Sequence, residues 1–219
     1  MMAESSDDKA IYKVFEDYAK EYDSWYLEHP AIYESEVRVV KELSMRGLGL
    51  EIGIGTGVFA SRIGVDVGID PTLAMLHIAK VRGVEVIQAV GEHLPFADKT
   101  FDYLLMVCTL CFLNRPKVVI EESVRVLKKD GSLIVCEVPK ESPWGKLYEE
   151  RKRAGNKFYR HVKFYTLQEL KRLLASQGLR IVDVRGALSY GPSEKERLEE
   201  PIKGHKGLGF LCLRIQRKD

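Results

Sequence analysis

The sequence predicts an α/β domain in which seven strands form a mostly parallel sheet with helices on both of its faces. From residue 47 onward, short apolar segments of strand length alternate with segments of helical periodicity, and this alternation is typical of parallel sheets. The chain has 219 residues, of which 45% are apolar, enough for one α/β domain with a sizeable core. We therefore expect residues 1–219 to form a single domain.

Two helices are predicted before the first strand. Aromatic side chains recur every three or four residues over residues 10–28, which indicates a helix with an aromatic face. Pro30 favours the start of a second helix, which we expect to end near Gly47. An aromatic stripe at this spacing usually packs into a core, but here it contains more tyrosines than a core needs.

A strand, a glycine-rich turn and a helix are predicted at residues 47–60, GLGLEIGIGTGVFA. The apolar start is typical of a buried parallel strand, and Gly53, Gly55 and Gly57 allow positive φ angles and a close approach of ligand to backbone. The dinucleotide-binding pattern GxGxxG would place its third glycine where this chain has Val58. The spacing is instead ExGxGxG, in which the acid ends the strand.

The alternation continues through the middle of the chain. The segment VDVGID predicts a second strand that ends on Asp70, and Pro71 opens the next helix. Residues 84–89, 103–107 and 132–138 read as the third, fourth and fifth strands. A helix is expected at residues 116–129, with Lys128 and Lys129 at its C-terminal end, where positive charge is favourable.

The last third of the chain is less regular. Residues 139–165 are rich in aromatic side chains and interrupt the alternation. Thr166 and Glu169 form a predicted capping box at the start of a further helix. Segments 179–184 and 208–215 complete the seven strands, and the charged linker between them is expected to be mobile.

The charge of the chain does not call for a polyanionic partner. The net charge is +2, so we expect neither a nucleic acid nor an anionic membrane surface as a partner. The N-terminal segment MMAESSDDKA has no apolar centre like that of a signal peptide, and the longest apolar run, residues 103–113, is too short to span a bilayer. We expect a cytoplasmic protein, and the sequence leaves the oligomeric state open.

The cysteines are expected to be buried, reduced packing residues in a reducing compartment. They lie in apolar, strand-like surroundings, and one pair has CxxC spacing, but a zinc or redox site would need a second ligand pair or an exposed helix start. We therefore predict no metal site. The four cysteines are Cys108, Cys111, Cys136 and Cys212.

Asn and Gln are scarce, which favours a heat-adapted source.

Three segments together carry a family resemblance. They are the ExGxGxG turn, the segment DPTLAML, which is similar to a DxSxxML pattern, and the segment VGEHLPFADKTFD. These segments resemble the class I S-adenosylmethionine-dependent methyltransferases, and most closely the small-molecule type that includes the quinone-biosynthesis C-methyltransferases. By motif the resemblance covers about residues 45–138. Seven positions match the family pattern DAExLPFxDxxFD: Glu92, Leu94, Pro95, Phe96, Asp98, Phe101 and Asp102.

The resemblance implies S-adenosyl-L-methionine as the cofactor. In the family, the acid that ends the first strand supports the methionine ammonium, and an acid at the position of Asp70 binds both ribose hydroxyls. Asp70 is also suited to cap the following helix, a compatible role. The family's adenine-binding acid is replaced by Val90, so we expect backbone and apolar side chains to hold the adenine. The predicted cofactor-binding residues are Glu51, Gly53, Gly55, Thr56, Gly57, Asp70, Pro71, Met75, Gly91, Glu92, His93 and Cys108.

The resemblance also implies the sheet topology. A Rossmann-like sheet of order 3-2-1-4-5-7-6 is expected, with the seventh strand antiparallel between the fifth and the sixth. Ligands then lie at the carboxyl ends of the strands. The implied parts are an N-terminal helical lid (1–46), a cofactor-binding core (47–138), a lid insertion (139–165) and a C-terminal helix and hairpin (166–219).

The methyl acceptor is expected to lie under the two aromatic lids. Such a pocket suits a small planar or amine acceptor, through stacking or cation–π contacts. A base is needed only if the nucleophile arrives protonated; Glu92, His93 and His161 are candidates by position, and no catalytic residue is assigned. The predicted substrate-binding residues are Tyr18, Tyr22, Trp25, Tyr26, Trp144 and His161.

Three alternatives share part of this pattern. A nicotinamide-dependent enzyme would share the alternating strands and Asp70, but Val58 and the LPF segment disfavour it. A protein that binds the cofactor without catalysis, or a partner subunit, is compatible with the same motifs. A nucleic-acid methyltransferase would normally carry an added basic domain or an acid-aromatic tetrapeptide after the fourth strand, where this chain has residues 108–111, CTLC.

Overall fold

The chain folds as alternating strands and helices around one sheet. A computed structural model describes residues 6–44 and 46–218. Their elements, in order, are α1 (Ser6–Glu28), α2 (Pro30–Leu43), β1 (Gly49–Ile52), α3 (Ala60–Ile63), β2 (Val67–Asp70), α4 (Leu73–Val81), β3 (Glu85–Gln88), β4 (Phe101–Val107), a 3₁₀ turn (Leu110–Phe112), α5 (Pro116–Val126), β5 (Leu127–Glu137), α6 (Pro143–Arg153), α7 (Leu167–Ala175), β6 (Leu179–Ala187), β7 (Ile202–Lys203) and β8 (Phe210–Arg217).

The sheet has the order β3-β2-β1-β4-β5-β8-β6-β7. Strands β1 to β5 pair in parallel, and the last long strand, β8, lies antiparallel between β5 and β6. This confirms the predicted Rossmann-like arrangement. The strand count differs, because the charged linker contributes β7, which pairs antiparallel with β6 at the edge.

Apolar side chains fill both faces of the sheet. Along β4, Leu105 and Val107 pack into one cluster, and Leu104 and Met106 pack into the other. The alternation of side chains along a strand causes this division. The first cluster includes side chains of α2, α4 and α6, whereas the second includes side chains of α5 and α7, so helices cover both faces as predicted.

The end of α5 differs from the prediction. The helix stops at Val126, and Leu127 already pairs with Phe101 in the sheet. Lys128 therefore lies in β5 rather than at a helix terminus, and its ammonium contacts the Asp102 carboxylate at 2.9 Å. Sheet pairing overrides the helical pattern here, because a strand at this point satisfies the backbone hydrogen bonds of β4.

The charged linker between β6 and β8 does not behave as the sequence predicts. Its glutamates contact the N-terminal helices: Glu196 pairs with His29, and Glu200 pairs with Arg38. The hydroxyl oxygen of Ser35 accepts a hydrogen bond from the Glu199 amide at 2.9 Å. The expectation of a mobile segment is corrected accordingly, because these contacts hold the linker against α2.

The expectation that all four cysteines are reduced is wrong for one pair. Cys136 on β5 and Cys212 on β8 are direct partners in the antiparallel register and form a disulfide across 76 residues of sequence. Cys108 and Cys111 are free thiols.

The capping box of α7 is confirmed, with Thr166 and Glu169 each bonded to the other's backbone amide. Among the described residues, no helix combines the length and the apolar character needed to cross a membrane.

Candidate functional site

The glycine-rich turn lies at the carboxyl end of β1. The amides of Gly53 and Ile54 both donate to the Ile69 carbonyl at 2.9 Å, which fastens the turn to β2. Gly55 has a φ of +54°, and a Cβ placed there would meet only a ring carbon of Tyr22, at 3.9 Å. The missing side chain therefore leaves open space between the turn and α1, as a bound group close to the backbone requires.

Asp70 at the end of β2 ties this turn to the next helix. Its Oδ1 accepts hydrogen bonds from the Thr72 amide at 2.9 Å and the Thr72 hydroxyl at 2.6 Å, and its Oδ2 accepts one from the Gly55 amide at 3.1 Å. Burial raises the pKa of Asp70, and these donors oppose that rise. A carboxylate has about four acceptor sites, and three are used here, so Oδ2 can still accept a hydrogen bond from a ligand hydroxyl.

A cleft opens above these groups, between the strand ends and α1. Of the predicted cofactor residues, eight line it: Gly53, Gly55, Asp70, Pro71, Met75, Gly91, Glu92 and Cys108. Val90 lines it too, at the position where the family has an acid. Helix α1 covers the opening. Its cleft-lining residues are Asp8, Ile11, Tyr12, Phe15 and Tyr22. The sequence did not indicate Asp8, Ile11, Tyr12 or Phe15 as cofactor residues.

Four predicted cofactor residues do not line the cleft. Glu51 is buried, and its carboxyl accepts a hydrogen bond from the Ala60 amide. Its Oε2 has no hydrogen-bond partner within the described chain. Burial raises the pKa of Glu51 well above its usual range. Thr56 and Gly57 lie in the turn, where the Gly57 backbone packs against Ala79. His93 is exposed, and direct cofactor contacts of these four residues stay predictions.

A second cavity, here called the aromatic chamber, adjoins the cleft. Its volume is about 470 Å³, and Tyr22, Cys108 and Phe112 line both cavities. The chamber lies between α1, α2 and the segment that follows β5. Its main aromatic walls are Tyr22, Trp25, Tyr26, Tyr148, Phe158 and Tyr159.

Helix α1 serves both cavities because it bends. Tyr18 has non-helical angles of φ −124° and ψ 24°. Residues of α1 before it line the cleft, and residues after it line the chamber, with Tyr22 lining both. Inside the chamber the Tyr22 and Tyr26 hydroxyls lie 2.9 Å apart. On the opposite wall, Tyr148 and Tyr159 stack with ring centroids 4.7 Å apart.

Two buried carboxyl groups also line the chamber. Burial raises the pKa of Glu36 on α2 to about 8. Burial likewise raises the pKa of Glu137, at the end of β5, to about 7, although the Cys111 amide donates to its Oε1 at 3.2 Å. Both groups therefore titrate near neutral pH. Sequence reasoning missed both, although an acid on the apolar stripe of α2 and an acid ending a buried strand were visible signals.

Cys108 stands at the junction of the two cavities. It has a φ of +49°, uncommon for a residue with a side chain, and its amide donates to the Cys136 carbonyl at 2.8 Å. Burial raises the pKa of its thiol well above the usual range, so the thiol is a neutral wall rather than a nucleophile. Across the described residues, no cluster of three or more potential metal ligands was found.

The predicted substrate residues are divided by the structure. Tyr22, Trp25 and Tyr26 line the chamber, whereas Tyr18, Trp144 and His161 lie outside both cavities. The Lys157 ammonium lies 3.8 Å from the Tyr18 ring centroid. Trp144 is buried, and its indole N–H donates to the Tyr190 carbonyl at 2.7 Å. The Nε2 of His161 has no hydrogen-bond partner among the described residues, and burial lowers its pKa.

The comparisons with known proteins agree with this geometry. A family model described as a methyltransferase domain matches residues 50–135. A crystal structure from Thermotoga maritima, described as an S-adenosylmethionine-dependent methyltransferase and possible histamine N-methyltransferase, is 38% identical. It superimposes with a TM-score of 0.90, and the match covers 94% of this chain and 100% of that chain.

Two sequence relatives extend the comparison. An uncharacterized protein of Methanocaldococcus jannaschii is 37% identical over 93% of this chain and 98% of its own length. The demethylmenaquinone methyltransferase of Tropheryma whipplei is 33% identical over 58% of this chain and 52% of its own length. The cofactor is thus S-adenosyl-L-methionine, which the open space at Gly55 and the free acceptor capacity of Asp70 fit, and the nicotinamide-dependent alternative is set aside. The chain belongs to the S-adenosylmethionine-dependent methyltransferases.

Proposed function

We propose that this methyltransferase transfers a methyl group to a small-molecule nucleophile held in the aromatic chamber. The observation that carries the proposal is the junction of the two cavities at Tyr22, Cys108 and Phe112. Because these side chains line both cavities, a group in the chamber can lie next to a cofactor in the cleft. The chamber volume of about 470 Å³ is in the range of small-molecule sites.

The proposed cofactor contacts follow from the cleft. The backbone at Gly53 and Gly55 and the Asp70 carboxylate would hold the amino-acid and ribose parts of the cofactor. Met75 and Val90 would pack against its adenine ring. When bound, S-adenosyl-L-methionine supplies a methyl group on a sulfonium, whose leaving group needs no protonation. The protein then has to orient the acceptor and exclude water from it.

The enclosure of the chamber favours a small acceptor over a polymer. Helix α1 and the segment 143–164 wall it on two sides. Of the relatives, one is a demethylmenaquinone methyltransferase and one is described as a possible histamine N-methyltransferase, so quinols and aromatic amines are the first classes to test. We also propose a cytoplasmic location. The scarcity of Asn and Gln favours a heat-adapted source, and intracellular proteins of such organisms can carry disulfides, so the Cys136–Cys212 bond is compatible with this location.

A turnover screen with matched variants tests the proposal. Amines, phenols and quinols are incubated with the enzyme and S-adenosyl-L-methionine, and S-adenosyl-homocysteine is measured. For an acceptor so found, we expect Tyr22→Ala and Trp25→Ala to lower kcat/KM at least about tenfold, since each removes an aromatic wall of the chamber. Leu27→Ala on the same helix is the control, because Leu27 is 75% exposed. Full turnover by both aromatic variants would refute the assignment of the chamber.

A further inference from the structure

The aromatic chamber is acidic. Its walls carry four carboxyl groups and one guanidinium: Glu21, Glu28, Glu36, Glu137 and Arg151. Glu21 is paired with the Lys157 ammonium outside the chamber, and the Arg151 guanidinium lies 5.7 Å from the Tyr148 ring centroid. Of the other three carboxyls, Glu28 is exposed, and the buried Glu36 and Glu137 have no cationic partner within the described residues.

Glu36 is a chamber carboxyl whose position the packing of the described chain does not explain. Its side chain is on the buried stripe of α2 with Ile32, Val39 and Val40, and it is 7% exposed. No donor in the described part of the chain hydrogen-bonds to it, and burial is the cause of its raised pKa. A buried carboxyl without a partner costs stability, so an apolar residue would serve packing better.

The groups that face Glu36 are neutral near pH 7. They are Tyr26 on α1, Tyr148 on α6 and Cys108 after β4, each with a pKa that burial raises well above its usual range. Glu137 also interacts with the Cys108 thiol. Aromatic rings attract cations, and a carboxylate beside such rings completes a site for an ammonium group.

We infer that the methyl acceptor is an aromatic or alkyl amine, bound among the rings of the aromatic chamber, and that Glu36 is the base that takes its proton. This inference rests on the proposed function. The amine nitrogen forms a bond to the methyl carbon with its lone pair, the carbon–sulfur bond breaks with its electron pair going to sulfur, and one nitrogen proton passes to the Glu36 carboxylate and then to water.

The chemistry of Glu36 suits this role. An ammonium ion cannot attack, so the nitrogen must lose a proton first. A carboxyl with a pKa of about 8 is closer to the pKa of a primary amine, about 10.4 for lysine, than an exposed carboxyl is. Proton transfer from the bound ammonium to Glu36 is correspondingly less unfavourable.

Binding measurements with three molecules of matched shape test the inference. The probes are 2-phenylethylamine, 2-phenylethanol and 3-phenylpropionate, titrated calorimetrically into the full chain saturated with S-adenosyl-homocysteine at pH 7. We expect the amine to bind about 10- to 100-fold more tightly than the alcohol, the range for a hydrogen bond to a charged group. The carboxylate should bind most weakly.

Proton release gives a readout that a merely structural role would not produce. At pH 7 the empty Glu36 is mostly protonated, and an ammonium favours its ionised form. Titrations in buffers of different ionisation enthalpy should therefore show release of about one proton per amine bound and none for the alcohol. Glu36→Gln should remove both the amine preference and the proton release. Glu34→Gln, on the same helix but outside the chamber, should keep both.

The outcomes separate the two proposals. An amine that binds no better than the alcohol, or does not bind, overturns the inference, as does an unchanged preference in Glu36→Gln. If the amine-binding tests fail while a phenol or quinol is turned over, the proposed function stands without the amine assignment. If S-adenosyl-homocysteine itself does not bind, the proposed function and the inference both fall.

Discussion

Replacing Glu36 with Gln is expected to stabilise the ligand-free protein at alkaline pH. The carboxyl is buried in the chamber wall, and its pKa rises from the usual 4.5 to about 8 because burial disfavours the charged form. The folded state therefore binds this proton more tightly than the unfolded chain does. The resulting stability is fully present below pH 4.5 and is lost as the pH rises to about 8.

The size of the effect follows from the pKa. Each pH unit between the two pKa values changes the free energy of unfolding by about 1.4 kcal/mol. Between pH 6 and pH 9 the wild-type protein should thus lose about 3 kcal/mol that the neutral Gln variant does not lose. This is a large share of the roughly 5–15 kcal/mol that stabilises a typical domain.

Urea unfolding at pH 6 and pH 9 measures the difference. Glu137 titrates in both proteins and cancels in the comparison. Glu34→Gln is the control: the hydrogen bond from Arg62 lowers the pKa of Glu34, so that carboxyl is ionised at both pH values and its loss should have the same effect at each. If the wild type and Glu36→Gln lose equal stability between pH 6 and pH 9, Glu36 is not a buried neutral acid, and the base assignment loses its chemical basis.

Asp70→Ala should weaken S-adenosyl-L-methionine binding by about 1.5–3 kcal/mol with an unchanged circular dichroism spectrum. Unchanged affinity in calorimetry would mean that Asp70 only binds the backbone amides of Gly55 and Thr72. Val90→Asp should bind the cofactor equally well or better in the same assay, and a large loss would mean that the cleft is misassigned there. Trp144→Ala should lower the free energy of unfolding by about 3–5 kcal/mol, because it empties a buried site; a normal urea midpoint would contradict the packing role. Reducing the Cys136–Cys212 disulfide should remove about 4 kcal/mol by the chain-entropy relation, and identical unfolding curves with and without reductant would show that the bond does not constrain the chain.

The glycine-rich turn and its surroundings could be predicted from sequence because their signals are local. Three glycines within five residues, an acid after the second strand and the LPF segment each define a short stretch of backbone. The carboxyl ends of parallel strands meet at one edge of the sheet, so the topology alone brought Gly55 and Asp70 together. Eight of the twelve residues expected at the cofactor line the cleft for this reason.

The aromatic chamber, where we propose that the acceptor binds, depends on contacts between distant parts of the chain. Tyr22 and Trp25 were expected at the acceptor and line the chamber, but Trp144 points to Tyr190, 46 residues away, and not to the cavity. Helical spacing shows which residues share a face but not what the face meets. Glu36 was missed because its importance lies in the absence of a partner, which only the packed neighbours of α2 reveal.

By itself, the sequence determined seven of the eight strands that the structure describes, the glycine-rich turn and the family pattern, since each depends on side chains within a few residues of one another. The tertiary structure decided that α5 ends at Val126, that Cys136 meets Cys212, and that Glu36 faces a cavity of aromatic rings. The physical reason is the same in each case. Sheet register and helix packing fix contacts across tens of residues, and burial then sets the chemistry of the groups they enclose.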